Sequence, residues 1–119
     1  MAKNLFLNKK CLPCEKGARP FSKSTAMRYL RGMKGWTLSN ANRSIAAAYI
    51  MKDFMAAVML VDRIAVLAEK EGHHPDIHLT GYRKLKLELS THAINGLSEN
   101  DFILAAKISQ LPKTLKVIK

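Results

Sequence analysis

Leucine occupies every second position from Leu85 to Leu89, with Lys84, Lys86, Glu88 and Ser90 alternating with it. Successive side chains of an extended strand point to opposite faces, so this run is a strand with one dry face and one wet face. Such a strand must pair with others and bury its leucines under a second layer. That layer is available upstream. Phe54, Val58, Val61, Ala65 and Ala68 recur at intervals of four, three, four and three, the period of a helical stripe. Met55, Met59, Val66 and Leu67 widen the apolar surface beyond one face. The helix is therefore expected to pack on its own sheet and on something else, such as a partner subunit. Gly72 ends it, and Pro75 prevents its return.

The remaining elements follow from caps and turns. Ser22 or Ser24 caps a short helix reaching Arg31, with Ala26, Met27, Leu30 and Met33 as its apolar face. Trp36 to Leu38 reads as a short strand and Ser39 to Asn42 as a turn. Ser44 to Ile50 is rich in alanine, and propensity alone makes it helix. Asn95-Gly96 marks a turn. Ser98 caps a last helix with Asp101 at its third position, carried by Phe102, Ile103, Ala106 and Ile108 to about Gln110. Residues 1–20 are punctuated by Pro13, Gly17 and Pro20 and read as loop.

Length and charge then narrow the class. One domain is expected of 119 residues. The longest apolar run, Phe54 to Val61, stops at Asp62-Arg63, well short of the roughly 20 residues of a membrane span. No secretory signal is apparent, and with only Cys11 and Cys14 a disulfide-stapled exported domain is not indicated; a cytoplasmic location is expected. The net charge of +11 invites a nucleic-acid partner, but its distribution argues against one. Residues 1–34 hold nine Lys/Arg and one acid, residues 113–119 three Lys, and residues 35–112 eight of each sign. The basicity lies in the ends, read as solvated arms, and not on a folded reading surface.

Three of the four histidines, His73, His74 and His78, fall within six residues just past a helix end; the fourth is His92. An imidazole, with an ordinary pKa of about 6.5, is suited to proton transfer at neutral pH. His74/His78 and Cys11/Cys14 mimic zinc half-sites, but 59 residues separate the pairs and His74 and His78 straddle Pro75. A shared metal site is not expected. Glu69 and Glu71 stand at the helix end against its dipole, where solvation is the plain reading. An acid four residues before a histidine could instead orient an imidazole, as Glu69 stands to His73. Taken singly, Asp101 is a capping acid and Trp36, the only Trp, a core residue.

Together these residues form a pattern. Glu69-Lys70-Glu71-Gly72-His73-His74-Pro75-Asp76, then Tyr82, then Leu89-Ser90-Thr91-His92, then Gly96-Leu97-Ser98-Glu99-Asn100-Asp101 resembles the signature of the pterin-4-alpha-carbinolamine dehydratase family. Gly35-Trp36 and Lys52-Asp53-Phe54 resemble it upstream, so the likeness spans roughly residues 22–110. Cys11-Leu12-Pro13-Cys14 resembles the amino-terminal extension of bacterial members. The resemblance implies an α+β fold, a four-stranded antiparallel sheet with helices packed on one face in the order α-β-β-α-β-β-α. Ser44 to Tyr49 is then a strand, which its period-2 set Ile45, Ala47 and Tyr49 permits. His78 to about Thr80 is then a short partner of the leucine strand. The implied organisation is a basic extension over 1–21, the domain over 22–112 and a basic tail over 113–119.

The resemblance also implies an activity, the metal-free dehydration of 4a-hydroxytetrahydropterin to quinonoid dihydropterin, with no cofactor. This reaction recycles the spent cofactor of aromatic amino acid hydroxylases. His73 and His92 match acid/base positions, His74 a position that holds the pterin, and Glu69 the acid that supports the histidines. Pro75 shapes the loop, and Trp36 and Asp101 match positions near the pocket. His78 matches no catalytic position. Homodimers or homotetramers are implied. Some members also act as dimerisation cofactors of a transcription factor, so the alternative is an interaction module using the apolar helix 52–70. A pure scaffold has no need of Glu69, His73, His74 and His92 together.

Overall fold

The computed structural model describes residues 6–12 and 18–117; Cys14, and with it any Cys11/Cys14 pairing, lies outside the described residues. The elements are α1 (Lys23–Leu30), β1 (Thr37–Ser39), β2 (Ser44–Ile50), α2 (Phe54–Glu71), β3 (Asp76–Thr80), β4 (Lys84–Leu89), a 3-10 turn (His92–Ile94) and α3 (Glu99–Ser109). The strands form one antiparallel sheet in the order β1-β2-β4-β3.

The leucine strand lies inside the sheet, and its register explains the alanine-rich segment. Ile45, Ala47 and Tyr49 stand opposite Leu89, Leu87 and Leu85, one apolar row across two central strands. Those residues share a core with Leu60 and Ile64 of α2 and Phe102, Leu104 and Ile108 of α3. Lys84, Lys86, Ala48, Ile50, Asp76, His78 and Thr80 point to the other, exposed face. Pairing on both edges thus outweighs the helix propensity of the alanines, and the segment is β2. β3 begins at Asp76, earlier than its expected start, and His78 is a strand residue opposite Lys86.

The helices are delimited by their caps. Ser22 accepts from the Thr25 amide to start α1, and Asp53 accepts from the Ala56 amide to start α2. Ser98 and Asp101 form a complete capping box on α3. Gly72 adopts the left-handed conformation, φ +68°, at the end of α2, where its N–H and that of His73 both return to the Ala68 carbonyl.

Two expectations are corrected. The buried stripe of α2 is Ala57, Leu60, Ile64, Ala68 and Glu71; Phe54 and Ala65 of the expected stripe are exposed, and Val58 and Val61 only half-buried. Both stripes have helical spacing, and a helix apolar on several faces does not declare which one faces the sheet. The chain ends are also not simply solvated. Phe6 is buried and packs its ring on Tyr29 and Phe102, with centroids 5.5 and 6.3 Å away. Leu115 bridges Met51 at the end of β2, and the Lys113 ammonium reaches the carbonyls of Ile108, Ser109 and Leu111. No described helix is long and apolar enough to cross a membrane.

Candidate active site

The left-handed turn at Gly72 throws the chain off α2 at an angle that no continuing helix allows, and Pro75 leads it into β3. His73 and His74 occupy that corner. Facing them, β4 ends at Leu89 and passes through Ser90 and Thr91 into the turn that begins with His92. A cleft of about 380 Å³ opens between the two segments, lined by His73, His74, Pro75, Ser90, Thr91 and His92, with Leu12 and Asn100 on a further side.

Asp101 lies behind this cleft and is fully buried. Its Oδ2 accepts from the Thr91 hydroxyl at 2.9 Å and from the Ser98 amide at 3.0 Å. Its Oδ1 accepts from His73 Nε2–H at 2.6 Å. The capping acid of α3 therefore also orients an imidazole. With Nε2–H committed to Asp101, Nδ1 of His73 is left to accept or carry a second proton. Thr91 and Ser98 are joined at 2.7 Å, which completes the support. Each buried side-chain polar atom among the described residues has a hydrogen-bond partner.

The neighbouring imidazole is held differently. His74 Nε2 meets Glu69 Oε2 at 2.5 Å, but both side chains are mostly exposed, at 59% and 77%. Glu69 thus supports His74, not the His73 that stands four residues after it. His92 is exposed on the opposite rim, and no side-chain hydrogen bond to its ring occurs among the described residues.

The structure thus brings His73, His74, Pro75 and His92 to one cleft. Glu69 and Asp101 reach it through His74 and His73. Trp36 does not line it. It is buried in the core, and its Nε1–H donates to the Ser109 hydroxyl at the end of α3 at 2.9 Å. An aromatic beside a glycine in sequence carries no sign of which end of the sheet it will serve.

Sequence reasoning missed Glu71. It is buried, accepting from the Cys11 amide at 2.9 Å and from Lys107 Nζ at 2.8 Å. Burial pushes its carboxyl pKa up, but the Lys107 and Cys11 hydrogen bonds and the Lys107 and Lys10 charges outweigh this, so it sits below the ordinary value. Beside it the Cys11 thiol is pushed up to about 12, by burial first and then by the Glu71 charge. The signal for Glu71 was its spacing, three residues past Ala68 on the stripe that is buried. Among the described residues no three His, Cys, Asp or Glu side chains converge as a metal site would require.

The model of the pterin 4 alpha carbinolamine dehydratase family matches residues 19–111, which include every residue lining this cleft except Leu12. The chain belongs to that family. It is 45% identical over 106 residues to the pterin-4-alpha-carbinolamine dehydratase 2, mitochondrial, of Arabidopsis thaliana. That match covers 87% of this chain and 57% of the Arabidopsis protein. A Halorhodospira halophila protein carrying the same family name is 40% identical over 104 residues, covering 87% of this chain and 94% of that one. The crystal structure of a transcriptional coactivator/pterin dehydratase from Brucella melitensis superposes with a TM-score of 0.71 at 30% identity. It covers 76% of this chain and 96% of the other. As a pterin-4-alpha-carbinolamine dehydratase family member, the chain falls among the lyases.

Proposed function

We propose that the cleft dehydrates 4a-hydroxytetrahydropterin to quinonoid dihydropterin and water by histidine acid/base chemistry, in the cytoplasm. The reaction breaks the C4a–O bond and forms a double bond between C4a and N5. The departing hydroxyl takes up one proton and leaves as water; N5 gives up one proton; nothing is oxidised or reduced. The nitrogen lone pair expels the hydroxyl, so two positioned imidazoles suffice, each worth about 10²–10⁴-fold. His73 and His92 carry the two proton transfers from opposite rims, and His74 and Pro75 hold the ring. Asp101 keeps the His73 ring in one orientation and stabilises it when it is protonated, as a buried carboxylate does for an imidazole elsewhere. The observation that carries this reading is the His73–Asp101 pair, a buried carboxylate spent on an imidazole at the cleft wall.

The product, once reduced by a separate enzyme, regenerates the reduced pterin that hydroxylases spend. Self-association into a dimer or tetramer belongs to the same proposal, supported by Phe54, Met55, Met59 and Val66 exposed along α2. That face also favours a second reading, a protein-interaction module, and the Brucella relative is named a coactivator as well as a dehydratase.

The test is the ultraviolet decay of freshly generated 4a-hydroxytetrahydropterin with and without the protein, with a chelator present in one arm. Wild type should accelerate it in both arms. His73→Ala and His92→Ala should each lower kcat by about 10²-fold or more. His92→Ala should keep the wild-type Tm, and His73→Ala should remain folded with a lowered Tm, because it leaves the buried Asp101 Oδ1 without its partner. Normal turnover in both variants would overturn the assignment. A folded wild type without activity would favour the interaction module.

A further inference from the structure

The family match begins at residue 19, yet the segment before it is fastened to the end of α2 and the start of α3, both beside the cleft. Lys10 Nζ donates to the Lys70 carbonyl at 2.8 Å and the Cys11 amide to Glu71, both at the end of α2 just ahead of His73. Lys9 Nζ donates to Glu99 at 2.8 Å, and the Cys11 thiol to the Asn100 carbonyl at 3.6 Å, both in the first turn of α3 beside Asp101. The Asn100 side chain then closes on Leu12 from both sides. It accepts from the Leu12 amide at 3.0 Å and donates to the Leu12 carbonyl at 2.5 Å. Phe6 anchors the other end in the core.

This clamp fixes the backbone of a residue whose side chain is left open. Leu12 is 69% exposed and lines the same cleft as His73, His74 and His92. The imidazoles and hydroxyls of the cleft suit the polar edge and the reacting atoms of a flat heterocycle. Leu12 is the large aliphatic side chain on that wall, and a planar ring presents an apolar face for it to cover.

We infer that Phe6–Leu12 forms a permanent wall of the cleft, and that Leu12, clamped by Asn100, contacts the face of the bound pterin and sets KM. The inference rests on the pterin reading of the cleft. Leu12 takes no part in proton transfer, so its loss weakens ground state and transition state alike. Asn100 acts through Leu12 as a positioning residue.

The experiment compares wild type, Leu12→Ala, Asn100→Ala and the double variant in turnover of 4a-hydroxytetrahydropterin. It also compares them in fluorescence titration with the stable ligand 7,8-dihydrobiopterin. Leu12→Ala should raise KM and the dihydrobiopterin Kd by about tenfold, with kcat within about twofold. Asn100→Ala should move both the same way. The double variant should be no worse than the larger single effect, because the two act through one wall. Leu12 is a surface residue, so Leu12→Ala should keep the wild-type Tm. Unchanged KM and Kd in folded Leu12→Ala would overturn the wall alone. A wild type that binds dihydrobiopterin without turnover would overturn the dehydratase reading, and the ratio of Kd values would still decide the wall. A wild type that neither binds nor turns over would overturn both.

Discussion

His73 and His74 are neighbours in the chain, and each imidazole meets a carboxylate at close range, yet the two pairs differ in kind. Asp101 is fully buried and its second oxygen is already held by Thr91 and Ser98. Its position is set before His73 arrives, so it can dictate where the ring stands. Glu69 is mostly exposed on the last turn of α2, and water competes for the bond at every moment. A solvated pair of this sort has little net worth, whereas a buried carboxylate with one open acceptor site is costly to leave unpaired. The distance is nearly the same in both; depth and prior satisfaction of the acid separate an orienting pair from a surface contact.

The sharpest break in that comparison is Asp101→Asn. The amide turns one acceptor into a donor, which must face either His73 Nε2–H or the Ser98 amide. A fall in kcat of about 10²-fold or more is expected, together with a loss of about 1–3 kcal/mol in stability by denaturant unfolding. Glu71 supplies the intermediate case, a carboxylate two residues from Glu69 but on the buried side of the same helix. Glu71→Gln should cost about 1–3 kcal/mol, because it leaves the part-buried Lys107 ammonium without its counter-charge, and should leave kcat near wild type. The folded pKa of Glu71 is lowered, so its contribution is fully present above the ordinary value of 4.5 and is lost as pH falls through the lower folded value. The Tm gap between wild type and variant should therefore be constant at neutral pH and close as pH falls from 4.5 through the lower folded value. Glu69→Gln should give the smallest effect, kcat within about threefold and no measurable change in Tm. A large effect there would erase the distinction between the pairs.

Much of this was legible in the chain. The Leu85-Leu87-Leu89 alternation, the Gly72 and Pro75 stop and the Ser98–Asp101 cap each carry a local physical signal, and each appears where expected. The alanines of β2 needed tertiary information, because their strand state comes from pairing with β4 and not from their own preference. The inward face of α2 was illegible for the opposite reason: apolar residues on several faces give more than one stripe of the right period. At the site, the histidines were found by type and spacing. The partner of His73 was not, since Asp101 stands 28 residues away and its capping role already accounts for an acid there. Docking of the Phe6–Leu12 segment had no sequence signal beyond the short apolar triplet Leu5-Phe6-Leu7 in a basic stretch.

The central claim is that His73 works through Asp101, and a double-mutant cycle on turnover tests it most directly. His73→Ala, Asp101→Asn and the double variant are compared in kcat with wild type, with folding checked by Tm. If Asp101 acts by positioning His73, the double variant should be no slower than His73→Ala alone, because the carboxylate has nothing left to orient. If the two losses multiply, Asp101 serves the reaction by a route that does not pass through His73, and its role as the orienting acid of that imidazole is contradicted.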